Sequence, residues 1–378
     1  MLFRSSYAIT ATLILNTTIV FWISSGAVMT DHTLLTGTTI CMVTFWHAMK
    51  FSDFQGKLWG YVFFGGLAMG LLAKGPVALV LTLLPIAGWT LMQRKWHDVW
   101  QRMPWITGLL VTAALSLPWY WMAEIRTPGF LEYFLIGEHW KRFLVPGWEG
   151  DLYGSAHLRP RGTIWLYWVI CTLPWSIVLL LILIKKILKS EFKRVFRTDD
   201  FNLYLILWAL TPIVFFTLSR NILPAYVLPG IPALALLIAQ LRETRNADTP
   251  VHADLRIFWP AYAMTAFFVA GLIIISHSNV FSANSQKDLA MIYQQNRCID
   301  DGQLVYLFSC PYSARFYSMG KAGFSWTIEE TEHFFNNGSV DYFAVRANRL
   351  KQVSPSFAEK VINLGVFNQY YLLKEKNP

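Results

Sequence analysis

Nine apolar stretches of roughly 17 to 24 residues, free of acidic and basic side chains, alternate with short polar loops over the first three-quarters of the chain. Coiled as helices, they fit a hydrocarbon core of about 30 Å and satisfy their own backbone polar groups. The pattern predicts spans at Tyr7–Thr30, Thr33–Met49, Leu58–Ala73, Pro76–Met92, Met103–Ala123, Thr163–Ile184, Phe201–Leu218, Leu223–Leu241 and Ile257–His277. The first, although it follows Arg4, is too long for a signal core and reads as a retained span. Gly65, Gly66, Pro85 and Pro118 lie inside spans, where neighbouring helices can re-satisfy the backbone groups they free.

After His277 the texture changes to short apolar runs between charged stretches. This predicts strands at Gln303–Phe308, Val340–Val345 and Tyr370–Leu373. It also predicts helices at Tyr312–Met319 and at Ile328–Asn337, the latter opened by Thr327 as N-cap. The fold class expected is a polytopic α-helical membrane protein of about nine spans, residues 1–278 with an outer loop at 124–162. A small α/β domain, 279–378, follows it. Basic residues set the orientation, because Lys50, Lys57, Arg94, Lys95, Arg102 and the lysine-rich run from Lys185 to Arg197 all fall in loops on the side of Arg4. With that side cytoplasmic, the C-terminal domain lies outside the cytoplasm.

Composition agrees: 54% hydrophobic and 15% charged residues in 378 leave too little polar surface for a water-soluble globule. The formal charge of +9 is explained by the cytoplasmic loops, and no basic groove with interleaved aromatics points to nucleic acid. Cys41 and Cys171 fall inside spans, whereas Cys298 and Cys310 lie in the outer domain, where an oxidising compartment permits a disulfide; two buried thiols are the alternative. No Cys/His spacing suggests a structural zinc site.

Candidate chemistry collects in the outward loops. Thr30-Asp31-His32 holds an acid at the membrane surface, either as a functional carboxylate or as the cap of the next helix. Lys74, in Ala73-Lys74-Gly75-Pro76, departs from the Walker spacing, so it either binds a lipid phosphate by charge or snorkels to the interface. In the long outer loop, Glu138 and Arg142 share a face at i and i+4 with His139 beside them. That set suits a divalent metal or an anionic headgroup, and also an amphipathic helix dipping Trp140 and Phe143 into the membrane. Arg220 and Tyr226, in the run Phe215–Pro229, bring another cation and a phenol to the same membrane face.

These motifs together resemble the GT-C glycosyltransferases of the protein mannosyltransferase type, in particular the bacterial branch that transfers aminoarabinose to lipid A. The resemblance rests on Thr30-Asp31, Ala73–Pro76, Pro118–Tyr120, Glu138–Phe143 and Phe215–Pro229, in family order. It implies transfer of a sugar from a polyprenyl phosphate carrier to lipid A or another periplasmic acceptor, at a bacterial inner membrane. It implies phosphate contacts from Lys74, Arg142, Arg220 and Tyr226, and a divalent zinc, magnesium or manganese held by His139, with Glu138 as a further ligand or acid. No nucleotide is expected, and membrane lipids are the other partners. Family members carry an Asp-Glu pair in an earlier outer loop, and this sequence contains no Asp-Glu dipeptide. The chain therefore matches from the family's third span onward. The expectation is a longer protein in which Met1 is internal; a truncated descendant, or Asp31 acting as the base, are the alternatives. A lipid-carrier transporter and a non-catalytic membrane subunit remain open beside the transferase.

Overall fold

The computed structural model describes residues 5–27, 29–51, 53–150, 157–188, 200–243, 258–278, 285–297, 302–331 and 333–376. Its contacts divide the chain into two units, Met1–Thr265 and Ala266–Pro378.

The first unit is helical. It runs through α1 (Ser5–Asn16), α2 (Ile19–Ser25), α3 (Asp31–Lys50), α4 (Phe54–Lys74), α5 (Val77–Met92), α6 (Trp96–Arg102) and α7 (Trp105–Arg126). A π-helical segment, Glu132–Lys141, then leads into the single turn α8 (Arg142–Leu144). It continues with α9 (Thr163–Cys171), α10 (Trp175–Leu188), α11 (Asp200–Thr217), a 3-10 turn at Pro224–Gly230, and α12 (Ile231–Glu243). Helix α13 (Phe258–His277) contains the boundary between the units.

Among the described residues, 5 helices are long and apolar enough to cross a membrane, and up to 7 if each bent pair counts as one span. The spans read at Pro76–Met92 and Thr33–Met49 correspond to the remaining two. The first is the 16-residue α5. The second is α3, diluted by Thr33, Thr36, Thr38, Thr39 and Thr44 yet buried along Cys41, Met42, Phe45 and Ala48. Thr39 Oγ1 is buried without a partner among the described residues, but three other hydroxyls turn back on their own helix, Thr36 donating to the His32 carbonyl at 2.8 Å, Thr38 to that of Leu35 at 3.0 Å and Thr44 to that of Ile40 at 2.6 Å. A helix lined by such satisfied hydroxyls is less apolar than a lipid-facing one but suits the inside of a bundle.

Two spans read as continuous are broken. The α1/α2 pair bends by 66° and the α9/α10 pair by 96°. The breaks meet: the Ile19 amide donates to the Leu173 carbonyl at 3.2 Å, and the Trp175 indole donates to Thr17 Oγ1 at 3.1 Å. Backbone groups released inside an apolar bundle need partners there, and each break supplies them to the other. The span read from Leu223 starts as the 3-10 turn instead, whose Pro229 carbonyl accepts from the buried Trp208 indole at 2.8 Å.

Helices α3 and α4 approach each other closely, backbone against backbone. A Cβ placed on Gly37 would lie 2.8 Å from the Gly70 amide nitrogen and 2.9 Å from the Gly66 carbonyl oxygen. These are backbone atoms that cannot step aside, so small residues are required at the seam. Below it, Phe45 packs edge-on to Trp89 at 5.9 Å and stacks with Tyr204 at 6.0 Å.

The second unit, described by itself, holds α14 (Lys287–Asn296), β1 (Leu304–Leu307), α15 (Tyr312–Tyr317), β2 (Gly323–Ser325), β3 (Tyr342–Arg346), α16 (Pro355–Glu359), β4 (Val361–Phe367) and β5 (Tyr370–Glu375). The sheet order is β2-β1-β3-β5-β4. Strands β2, β1 and β3 are parallel, and β5 runs antiparallel to both β3 and β4. Both faces are covered. Leu304, Tyr306, Tyr342 and Ala344 pack with Leu289 and Tyr293 of α14 on one side, and Val305, Leu307, Phe343 and Val345 with Phe334 and Phe357 on the other. That explains the uninterrupted apolar runs of β1 and β3. The helix expected at Ile328–Asn337 is instead two 3-10 turns, Glu329–Thr331 and Phe334–Asn336. Thr327 does cap, accepting from the Glu330 amide at 3.3 Å, while the Glu330 carboxylate folds back onto the Trp326 amide at 2.8 Å and Gly338 takes φ +75°. The expected pairing with Cys298 lies outside the described residues.

Two tests follow from this packing. Gly37→Val should lower stability by about 1–3 kcal/mol through overpacking. Gly65→Ala, which meets nothing within 4 Å, should be neutral or slightly stabilising. Thermal unfolding in detergent separates them, and equal midpoints would remove the seam as a constraint.

In the sheet unit, burial raises the carboxyl pKa of Asp341, against the Gln303 amide and Asn337 that bond it. Burial likewise raises that of Glu375, whose side chain accepts from the Asp341 amide at 3.1 Å. Both hold protons more tightly folded than unfolded, so their contribution to stability is full below the ordinary carboxylate range and is lost as pH rises through the raised values. Glu330, held low chiefly by the Trp326 amide, acts in the opposite sense. Comparison with Glu375→Gln isolates the effect. This variant keeps an acceptor for the Asp341 amide, and amide exchange of β3 and β5 between pH 4 and 7 should lose part of its pH-linked destabilisation; an unchanged profile would refute the assignment.

Candidate active site

Asp31 opens α3 and Lys74 closes α4, so the tight seam between these antiparallel helices delivers both side chains to the same end of the bundle. Lys74 Nζ donates to Asp31 Oδ1, a carboxylate that is 9% exposed against 25% for the lysine side chain. The same ammonium lies 5.0 Å from the centre of the Tyr226 ring, which the Pro224–Gly230 turn carries in. Three residues distant in sequence thus form one contact group. Neither isolated reading of Lys74 describes it fully, because its head is turned inward onto a carboxylate and a phenol ring.

Helix α4 stops because Gly75 adopts φ +62°, a left-handed conformation natural to glycine. A Cβ there would also collide with Phe134 at 2.7 Å and His139 at 2.8 Å, so glycine is needed for shape as well as for closeness. The π-helical segment sits against this stop. His139 Nε2 is 2.7 Å from the Lys74 carbonyl and Nδ1 is 2.6 Å from that of Phe134. The imidazole ties the outer segment to the end of α4.

One residue further back, Glu138 accepts from the Tyr133 hydroxyl at 2.6 Å and from Arg142 Nη1 at 2.7 Å. The i,i+4 pair read from the sequence is therefore formed. Tyr133, five positions before Glu138, was missed, since a π-helix brings i and i+5 together and a 3.6-residue period does not.

The expected divalent metal at His139 and Glu138 does not fit this arrangement. Both imidazole nitrogens face backbone carbonyl oxygens at hydrogen-bond distance, so neither is directed at an open position that a cation could occupy. Both carboxylate oxygens of Glu138 already accept. Among the described residues, no group of three or more His, Cys, Asp or Glu side chains is arranged to hold a metal ion.

Arg220 reaches the region by another route. Its carbonyl accepts from the Arg159 amide at 2.8 Å beside an isolated bridge between Leu158 and Asn221, and its side chain is exposed. Buried Asn221 joins the outer loop to this bridge. Its Nδ2 donates to the carbonyls of Arg142 at 2.5 Å and Val145 at 2.7 Å, and its Oδ1 accepts from the Gly147 amide at 2.9 Å. Sequence reasoning passed over Asn221, although a lone amide between Arg220 and an apolar turn is the available signal. Phe143 stacks on Phe215 at 4.7 Å and Phe216 packs on Tyr226 at 4.5 Å, so the separate aromatic motifs form one wall.

Residues 1–134 match the family described as dolichyl-phosphate-mannose-protein mannosyltransferase (PMT). The first third of the chain is thus similar to that family. An undecaprenyl phosphate-alpha-4-amino-4-deoxy-L-arabinose arabinosyl transferase of Serratia proteamaculans is 29% identical over 283 residues, 72% of this chain and 48% of that protein. That of Edwardsiella ictaluri is 30% identical over 61% of this chain and 40% of its own length. The chain thus spans about half or less of the length of these curated relatives. Crystallised ArnT from Cupriavidus metallidurans, bound to undecaprenyl phosphate, superposes with TM-score 0.74 over 98% of this chain and 79% of that one. At 17% identity that likeness establishes the fold, a polytopic helical membrane architecture with a small sheet-bearing unit.

Removing the lysine alone should strand a buried carboxylate. Lys74→Met is expected to cost about 1–3 kcal/mol, below the 3–5 kcal/mol of a fully buried pair because the lysine is partly solvated. Asp31→Asn/Lys74→Met should recover most of the loss. A double-mutant cycle by thermal unfolding measures this, and additive single effects would mean the two side chains do not interact.

Proposed function

We propose that the chain transfers a sugar from a polyprenyl phosphate carrier to a hydroxyl or phosphate group of an outer-compartment lipid, with aminoarabinose and lipid A as the favoured pair. The observation that carries this reading is the Asp31–Lys74–Tyr226 group: a cation held against a phenol face, beside a second cation, Arg142, at one end of a membrane bundle. The names of the curated relatives supply the carrier and the sugar.

Lys74, Arg142, Arg220 and Tyr226 receive the lipid phosphate. An arriving phosphate competes with Asp31 for the lysine, and the displaced carboxylate is then free to act as a base. Asp31 takes the proton of the acceptor group, the acceptor oxygen bonds to the anomeric carbon, and the bond from that carbon to the phosphate oxygen breaks. Polyprenyl phosphate leaves, its developing charge stabilised by preorganised cations in a water-poor site. Glu138, engaged by Tyr133 and Arg142, orients the guanidinium. No step is routed through a metal. In this reading the protein lies in a bacterial inner membrane, with residues 279–378 as a periplasmic domain and the loop at 124–162 over the site.

The test uses the full chain reconstituted with undecaprenyl phosphate-linked aminoarabinose and lipid A, read by mass spectrometry of the lipid. Covalent gain of one aminopentose is expected, with turnover falling about 10²- to 10³-fold in Lys74→Met. In Asp31→Asn the loss expected of a general base is about 10²- to 10⁴-fold. Sugar that crosses the bilayer without becoming attached would make the protein a carrier transporter and defeat the proposal.

A further inference from the structure

The helix ends opposite the Asp31–Lys74 group form a second polar cleft, with Lys50 about 28 Å along α3 from Asp31 at 1.5 Å per residue. A cavity of about 150 Å³ is lined there by Trp46, Met49, Lys50, Trp89, Lys95, Asp98, Arg102 and Asp200. Its floor is aromatic: Trp46 and Trp89 pack edge to face at 5.7 Å, and each carries an ammonium 5.0 Å from its ring centre, Lys50 on the first and Lys95 on the second. Lys95 is paired with Asp200, whose backbone carbonyl accepts from the Trp89 indole at 3.1 Å. Arg102 donates one guanidinium nitrogen to the Met49 carbonyl at 2.5 Å. Among the described residues, Lys50 and Arg102 have no carboxylate within ion-pair distance, and with Asp98 counted the cleft carries one net positive charge.

Helix α6, which supplies Asp98 and Arg102, points the other way with Trp96 and Trp100, 54% and 71% exposed and four residues apart. Exposed indoles of this kind belong at the headgroup level of a bilayer, where one side of the ring is apolar and the other wet. The cleft therefore opens where phospholipid phosphates lie, on the side that carries the basic loops.

We propose that this cleft binds the phosphate of an anionic phospholipid headgroup from the leaflet opposite the Asp31–Lys74 site. Lys50 and Arg102 contact the phosphate, and Trp96 and Trp100 flank the acyl chains. A choline headgroup is disfavoured, because the two ring faces that would receive a quaternary ammonium already hold lysine ammonium groups. A small polyol headgroup such as glycerol fits the polar lining instead. This site is independent of the transfer reaction proposed above, and its test reads binding alone.

The full chain, purified in detergent, is titrated with phosphatidylglycerol or phosphatidylcholine, and bound lipid is counted by native mass spectrometry. Phosphatidylglycerol should be retained in preference to phosphatidylcholine. Lys50→Gln, at an exposed position without a carboxylate partner, should weaken its retention about fivefold, the contribution of one basic side chain near a membrane surface. Lys57→Gln, a basic change outside the cleft, should leave retention unchanged and serves as the fold and charge control. Equal retention by the native chain and Lys50→Gln, or no preference between the lipids, would overturn the proposal. Displacement of the lipid by millimolar inorganic phosphate would reassign the cleft to a soluble phosphate and overturn it equally.

Discussion

Where α3 and α4 touch, glycine meets backbone, and that approach decides what can happen at the ends of both helices. Gly37 is six residues from Asp31 and Gly70 is four from Lys74, about 9 and 6 Å along their helices. Pinning the axes so near the ends leaves the two side chains little choice of partner. The acid and the cation are brought together by a steric requirement one to two turns away rather than by their own attraction, which in a partly solvated pair contributes only modestly.

The outer segment is then referred to this fixed end. Gly75 terminates α4, His139 bonds to the exposed carbonyl of Lys74, and Glu138, Arg142 and Phe143 follow from the same π-helical run. From the other direction Asn221 ties the carbonyls of Arg142 and Val145 to the bridge beside Arg220. Anchors from α4 and from the segment after α11 therefore converge on one short stretch. An anion-binding site made of long side chains needs such support, since arginine and lysine otherwise lose much of their interaction energy to rotamer freedom.

Much of the helical order was legible in the apolar pattern, because spans of lipid-facing or bundle-facing residues are long and nearly chargeless. What escaped was local. The bends at Thr17–Thr18 and Thr172–Pro174 leave no mark on hydropathy, since the residues flanking each break stay apolar on both sides. The π-helical spacing of Tyr133 and Glu138 falls outside the usual period. The i,i+4 contact of Glu138 with Arg142 was read correctly, and Thr327 caps as expected, yet what it opens is a pair of 3-10 turns rather than an α-helix. His139 shows the limit of residue type as a guide: an imidazole beside a carboxylate suggests a ligand, while two facing carbonyls make it a tether.

The paired breaks have a bearing on how the chain is assembled. Thr17 and Trp175, which bond across the two bends, are 158 residues apart in sequence. A membrane protein is delivered to the bilayer from its N-terminal side, so the bend at Thr17 enters lipid long before the segment that satisfies Ile19 has been synthesised. Until Leu173 arrives, that amide must find water, a headgroup or an insertion factor. The first helical pair is thus committed to its final shape late, and the order of synthesis differs from the order in which the bundle locks.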